Sequence, residues 1–181
     1  QLHKHLRTTG ILVLNGSSGV GKTTIANLVL KRDNTNWDWV KLSKFEGRQV
    51  SLLLRQIGLF LDGNRTAVNL VIDDIDTSPS HARVFEDQLG AVLYSILERN
   101  GKIILTTQKE LPKRLIHRLG IKAASLQQIP SLERDEIIEF FLELGCPSEL
   151  ASTWGKLTYF HTRGHPQLVH ARLKSLKELS W

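Results

Sequence analysis

The chain has 181 residues, a formal net charge of +6 and a single cysteine, Cys146. This length suits one α/β domain with a small appendage and excludes two full domains. A lone cysteine excludes an internal disulfide framework and favours a cytoplasmic location, while the absence of a long apolar run excludes a membrane partner.

Short apolar stretches alternate with stretches of helical periodicity, which predicts an α/β fold with a five-stranded parallel sheet flanked by helices. The strands are predicted at 11–15, 39–43, 68–73, 102–107 and 123–128. The helices between them are predicted at 22–32, 47–61, 80–99 and 111–119. Turn residues separate several of these elements, as at Ser78-Pro79-Ser80 before the longest helix.

The pattern changes after Pro130, because no further strand is predicted there. Three helices are predicted instead, at 132–144, 147–160 and 167–179. We therefore expect two parts, a P-loop NTPase α/β core over residues 1–129 and a small helical lid over 130–181.

The stretch from Gly16 to Thr23 reads G-S-S-G-V-G-K-T and matches the Walker A pattern G-x-x-x-x-G-K-[ST] between a predicted strand and a predicted helix. Backbone N–H groups of such a loop converge on phosphate oxygens, and the helix adds its positive end. Lys22 is expected to act on the β- and γ-phosphates in binding and catalysis, and Thr23 to hold Mg²⁺. The loop residues expected at the nucleotide are Gly16, Ser17, Ser18, Gly19, Val20, Gly21, Lys22, Thr23 and Thr24.

Two acids end the third predicted strand, as in a Walker B motif. Asp73 is the expected Mg²⁺ residue, and Asp74 is the expected catalytic residue that orients or deprotonates the attacking water. Acids after a strand also form turns, but the phosphate loop upstream favours the Walker B interpretation. Asp76 either tunes the charge of the site or caps the next segment.

Polar residues also end the fourth predicted strand, where Thr107 and Gln108 could hydrogen-bond a γ-phosphate or its water. Threonines at this position are also ordinary strand formers. A later stretch, 161–166, precedes the last predicted helix, where Pro166 suits the first helical position.

Taken together, these motifs resemble the STAND ATPases, P-loop signalling proteins that include the NACHT and NB-ARC groups and bacterial antiviral members. The resemblance runs from about residue 10 to the end. It rests on Gly16–Thr23, Leu70–Asp76, Ile103–Gln108 and Arg163–His170, the last of which looks like the family's Gly-x-Pro motif.

The resemblance implies that the sensor strand lies between the phosphate-loop strand and the acidic strand, with Thr107 and Gln108 near the γ-phosphate. It also implies that the segment with His165 and Pro166 lies near the adenine and carries lid movement. Gln108 replaces the arginine that ends the NB-ARC sensor strand, so sensing is expected to be weaker or delegated to another residue such as Arg163.

The resulting hypothesis is a slow ATPase switch of a signalling or antiviral defence protein, with ATP or ADP and Mg²⁺ as ligands. Its ATP state is expected to promote homo-oligomerisation and effector activation in a longer protein, whose sensor and effector domains this chain lacks. The alternatives are an AAA+-like ATPase acting on DNA and an interaction module that binds nucleotide for stability only. The +6 charge permits nucleic acid as a partner, but the scatter of the basic residues disfavours it.

Overall fold

A computed structural model describes residues 2–33, 35–64, 66–76, 82–179 and 181, with the backbone alone given for 82–85. Its strands are β1 (Ile11–Asn15), β2 (Asp38–Lys41), β3 (Leu70–Ile75), β4 (Ile103–Thr107) and β5 (Leu126–Gln128). All paired strands run parallel, in the order β2-β3-β4-β1-β5. The predicted five-stranded parallel sheet is therefore confirmed, and so is the predicted position of β4 between β1 and β3.

The helices are α1 (Leu2–Thr9), α2 (Lys22–Leu30), α3 (Gly47–Gly63), α4 (Ala82–Glu98), α5 (Lys113–Arg118), α6 (Arg134–Glu143), α7 (Ser148–Thr162) and α8 (Pro166–Glu178). Helix α1 was not predicted. The predicted second strand ends early, because Leu42–Lys44 form a 3₁₀ turn, and Ala123–Ser125 form another before β5. The predicted turn at 78–80 lies outside the described residues.

The chain divides into two compact units. The sheet unit comprises Gln1–Ser17 and Lys22–Gln128, and the helical unit comprises Ser18–Gly21 and Ile129–Trp181. The break between Gln128 and Ile129 lies one residue before the predicted domain boundary. The tip of the Walker A loop, by contrast, belongs to the helical unit, which the sequence did not suggest.

The core of the sheet unit forms because apolar strand residues face helices on both sides of the sheet. In β4, every residue is buried, as expected for a central parallel strand. Helices α3 and α4 supply the other half of this core through side chains such as Leu54, Leu61, Leu89 and Leu93. Burial of this kind stabilises the fold by about 2 kcal/mol per large side chain.

A buried carboxylate connects the elements of the sheet unit at the amino edge of the sheet, where β2 and β4 begin. Asp33, just after α2, accepts hydrogen bonds from Lys102 (2.8 Å), Thr35 (3.0 Å) and Trp37 (3.3 Å). Burial opposes ionisation of Asp33, but these bonds and the charge of Lys102 outweigh it, and the pKa falls below its ordinary value of 3.8. The ionised carboxylate thus connects α2 to the starts of β2 and β4.

The helical unit has its own core, built on Ile137, Phe141, Val169 and Leu173 from α6 and α8. Glu133 begins α6 with a capping box in which Glu136 accepts a hydrogen bond from the Glu133 N–H. Among the described residues, no helix is both long enough and apolar enough to cross a bilayer.

Candidate functional site

The Walker A lysine lies inside its own loop. Strand β1 ends at Asn15, and Gly16 N–H then donates to the carbonyl of Thr107 (3.2 Å), which joins the start of the loop to β4. Lys22 begins α2, is 5% exposed, and donates from Nζ to the carbonyls of Gly16 and Ser17, both at 2.8 Å. Burial lowers the pKa of Lys22, and the charges of Asp74 and Asp73 oppose that shift.

A chain of hydroxyl and carboxylate groups links the first turn of α2 to β3 and β4. Thr23 Oγ1 donates to Asp73, at 3.0 Å from Oδ1 and 3.2 Å from Oδ2. On the other side, the buried Thr106 hydroxyl donates to Asp73 Oδ1 at 2.6 Å. The Walker A threonine and the first Walker B acid, 50 positions apart in sequence, are therefore in direct contact.

The donor set around Asp73 fits a magnesium ion. Mg²⁺ prefers hard oxygen ligands and holds several waters, and a carboxylate beside a threonine hydroxyl supplies such oxygens. Thr23 and Asp73 are thus the residues that could hold the ion, as the sequence indicated.

The second Walker B acid, Asp74, has different partners from Asp73, because the backbone leaves the regular strand conformation at this point. Asp74 has φ of 60°, in the left-handed region, and the register of β3 against β4 shifts between Ile72 and Ile75. Thr106 Oγ1 accepts a hydrogen bond from Asp74 N–H at 2.9 Å. One threonine hydroxyl therefore positions both acids.

The Asp74 carboxylate has two partners near the end of β2. Lys41 Nζ lies 3.1 Å from Oδ2, and Ser43 Oγ donates to the same oxygen at 3.0 Å. Burial opposes ionisation of Asp74, but these hydrogen bonds and the charges of Lys41 and Lys22 outweigh it and lower the pKa. Asp74 is thus an ionised carboxylate already engaged by a cation.

The predicted sensor residues have different surroundings. Thr107 is buried, and its hydroxyl donates to the carbonyl of Lys109 at 2.6 Å, while Gln108 is exposed. Thr107 and Gln108 were predicted at the site, whereas Thr106, Lys41 and Ser43 were not. Thr106 could have been suspected, because adjacent strand residues face opposite sides of a sheet and two threonines occur in succession.

Within the helical unit, the loop tip contacts the segment before α8. His165 Nε2 lies 2.6 Å from the Ser18 carbonyl oxygen. Gly19 has φ of +77°, and a Cβ there would meet the Gln167 side chain and lie 2.8 Å from His165 Cε1. The tip therefore requires glycine at this position both for its backbone conformation and for space. Pro166 opens α8 as expected.

The remaining residues of the Walker A loop also divide between the helical unit and the sheet unit. Val20 is buried, whereas Ser17 and Thr24 are exposed on the sheet unit.

The model for the ATPase family associated with various cellular activities (AAA) matches residues 12–125, which is more than half of the chain. The chain belongs to the AAA family. The prediction of a P-loop ATPase is confirmed, whereas the match does not extend to the narrower STAND group.

Solved structures share the fold of this AAA domain. RuvB of Thermotoga maritima is 17% identical with a TM-score of 0.63, and the alignment covers 98% of this chain and 58% of RuvB. AMPPCP-bound DnaA of Aquifex aeolicus is 14% identical with a TM-score of 0.64, covering 97% and 59%. The HORMA:CdnC:Trip13 complex of E. coli MS115-1 contains a chain 18% identical, with a TM-score of 0.58, covering 97% and 75%. Comparison with curated proteins found no match.

This AAA domain therefore spans less than two thirds of the RuvB and DnaA chains that it matches. At such low identity the likeness establishes the fold alone.

Proposed function

We propose that this AAA domain is a slow, ATP-dependent switch of the STAND type. The observation that carries the proposal is the direct contact between the two motifs, in which the Thr23 hydroxyl donates to Asp73. The buried Lys22 lies in the same Walker A loop. A nucleotide held by this loop would therefore meet the lysine, the threonine and the carboxylate together.

Nucleotide binding is assigned to the loop N–H groups and to Lys22. Two of the three ammonium protons of Lys22 already go to loop carbonyls, so the lysine is preorganised in the loop before it meets phosphate. A phosphate oxygen carries negative charge and a carbonyl does not, so the Lys22 ammonium would gain a Coulomb attraction to phosphate beyond its present hydrogen bonds. Exchanging a carbonyl for a phosphate oxygen would therefore favour the bound state.

Magnesium would neutralise charge on the phosphates, with Thr23 and Asp73 as its protein ligands. The role of Thr106 is to fix Asp73 in position through a short hydrogen bond.

For hydrolysis, we assign Asp74 as the group that accepts a proton from water as the water oxygen attacks the γ-phosphorus. The bond from that phosphorus to the bridging oxygen breaks, and ADP leaves. The pairing of Asp74 with Lys41 and Ser43 lowers its basicity and occupies one oxygen, which supports slow turnover.

The switch itself requires that ATP and ADP favour different arrangements. A change from mostly off to mostly on needs a difference of about 5 kcal/mol between the two states. Several charge-assisted contacts to a γ-phosphate, each worth about 1.5–3 kcal/mol, are sufficient. In a longer protein, the ATP state would promote oligomerisation and effector activation.

The second candidate is an AAA+-like ATPase that acts on DNA. Its support is the likeness to RuvB and to DnaA, one of whose structures is described as bound to single-stranded DNA, together with the +6 charge. Hydrolysis stimulated by DNA, with a steep decline as salt rises, would favour this candidate over the signalling switch.

Calorimetric titration of ATP·Mg²⁺ into the Lys22→Ala variant tests the proposal. We expect binding to be lost, and the control Lys31→Ala, at an exposed position after α2, to bind normally. Asp74→Asn should bind ATP and stop turnover. Normal affinity in Lys22→Ala would overturn the proposal. Nucleotide binding by the unaltered chain without detectable hydrolysis would favour the interaction module.

A further inference from the structure

The first carbonyl groups of the Walker A loop accept hydrogen bonds from side chains. Lys22 Nζ donates to the carbonyls of Gly16 and Ser17. The next carbonyl oxygen in the chain, that of Ser18, lies 2.6 Å from His165 Nε2. Because a carbonyl oxygen only accepts hydrogen bonds, Nε2 is the ring nitrogen that carries the proton here. The direction of the Ser18 carbonyl therefore depends on a side chain 147 positions away.

The His165 ring is held from a fixed corner of the helical unit. Just before it, the Gly164 carbonyl accepts a hydrogen bond from Leu132 N–H at 2.8 Å, and just after it Pro166 restricts the backbone as α8 begins. Among the residues that the structure describes, the ring has no second hydrogen-bond partner, since its Nδ1 atom is buried and unpaired. Ser18 is thus the group that this side chain serves.

The peptide unit between Ser18 and Gly19 converts this contact into control of a donor. A trans peptide is planar, and its C=O and N–H groups point in opposite directions. When the Ser18 carbonyl points to His165, the Gly19 N–H therefore points away from it. Gly19 has φ of +77°, and glycine adopts positive and negative φ about equally well, so its own backbone does little to fix this peptide.

We propose that His165 is a positioning residue, which fixes the Ser18–Gly19 peptide so that the Gly19 N–H is directed at a phosphate group. Backbone N–H groups of a Walker A loop cradle the α- and β-phosphates, and Gly19 lies in the middle of this loop. Without the histidine, the peptide rotates and this donor is lost to the phosphates. The inference deepens the proposed function and rests on nucleotide binding by the loop, but it assigns His165 to phosphate binding and not to the adenine.

Substitutions at position 165 separate the hydrogen bond from the ring. The side-chain N–H group of glutamine lies about as far from the backbone as histidine Nε2, that of asparagine lies closer, and leucine has none. His165→Gln should therefore keep the contact with Ser18, whereas His165→Asn and His165→Leu should lose it. The matched control is His170→Leu, because His170 is an exposed histidine of the same helix, α8.

Calorimetric titration with two magnesium complexes tests the role in phosphate binding, one of ATP and one of inorganic tripolyphosphate, which has no base. We expect His165→Leu and His165→Asn to bind both ligands at least about tenfold more weakly, because a hydrogen bond to a charged group is lost. His165→Gln and His170→Leu should bind both like the parent chain. Normal ATP affinity in His165→Leu overturns the inference, and so does a loss for ATP alone, which would show that His165 acts on the base.

NMR relaxation of the nucleotide-free chain tests the peptide itself. We expect the Gly19 N–H to have an order parameter of about 0.85 in the parent and in His165→Gln, and below about 0.6, or exchange on the microsecond-to-millisecond scale, in His165→Leu. A Gly19 N–H that stays rigid and free of exchange in His165→Leu overturns the inference. Failure of the parent chain to bind either ligand refutes the proposed function instead, and the relaxation of Gly19 then still decides whether His165 fixes the peptide.

Discussion

Replacement of Thr106 by valine removes one buried hydroxyl at nearly constant side-chain volume. That hydroxyl donates to Asp73 at 2.6 Å and accepts from Asp74 N–H at 2.9 Å. A bond to a carboxylate contributes about 1.5–3 kcal/mol and a neutral bond about 1 kcal/mol, so the loss amounts to about 3 kcal/mol. For a chain of this size, that loss lowers the melting temperature by about 6–12 °C.

We expect Thr106→Val to impair ATP hydrolysis even where the variant is fully folded, because both acids of the site depend on the same hydroxyl. We expect Thr106→Val to retain part of its nucleotide affinity and to lose ATP hydrolysis at temperatures where it is folded. Urea denaturation followed by tryptophan fluorescence measures the free energy of unfolding, and phosphate release measures turnover.

Thr106→Ser is the matched control, since it keeps the hydroxyl and removes only a methyl group, at a cost of about 1 kcal/mol. Stability and turnover should fall less in the serine variant than in the valine variant. If the two variants prove equally stable and equally active, the hydroxyl does not position the acids and the reasoning fails.

Three further changes address other parts of the molecule. Lys41→Ala removes the cation from Asp74 but leaves the Ser43 hydrogen bond, and should raise turnover by up to about fivefold, the limit for an exposed ion pair, with unchanged ATP affinity. A slower enzyme would show that Lys41 assists catalysis. Gly19→Ala should weaken ATP binding at least about tenfold in calorimetry. The control is Gly120→Ala, because Gly120 also has positive φ (+60°) but has open space around it, and this variant should bind ATP normally. Equal losses of ATP affinity in the two variants would refute the role of the Gly19 contacts. Asp33→Asn should destabilise the chain by about 3 kcal/mol in urea denaturation at neutral pH. Because folding lowers the pKa of Asp33, the stability that its carboxylate contributes is present above the ordinary value of 3.8 and is lost as pH falls. The difference in unfolding free energy between the variant and the parent chain should therefore shrink in acid.

Much of the fold was predictable because its signals are local. Strand β1 and helix α2 flank a loop whose glycines and lysine fix both its shape and its chemistry. The strand order was not derivable from periodicity, which carries no information about neighbours, and came from the resemblance. Helix α1 was missed because its pattern is short, with Leu2 and Leu6 one turn apart as its main signal.

The site was predictable where a motif fixes a residue's role and not where a contact depends on packing. The contact of Thr23 with Asp73 was predictable because the loop after β1 and the end of β3 both lie at the carboxyl edge of the same parallel sheet. The pairing of Asp74 with Lys41 depends on a register shift in β3, which no pattern of residue types reveals. The assignment of residues 18–21 to the helical unit likewise depends on long-range packing.

The unusual backbone at Asp74 restricts which amino acids can replace it. Short polar side chains tolerate positive φ, whereas other L-residues incur about 1 kcal/mol or more of strain. Glutamate at this position would keep the negative charge but lose conformational compatibility, and alanine would lose both. Of these three substitutions, only asparagine both removes the negative charge and tolerates the positive φ of the backbone. Asparagine is therefore the substitution best suited to trapping an ATP-bound form for structural work.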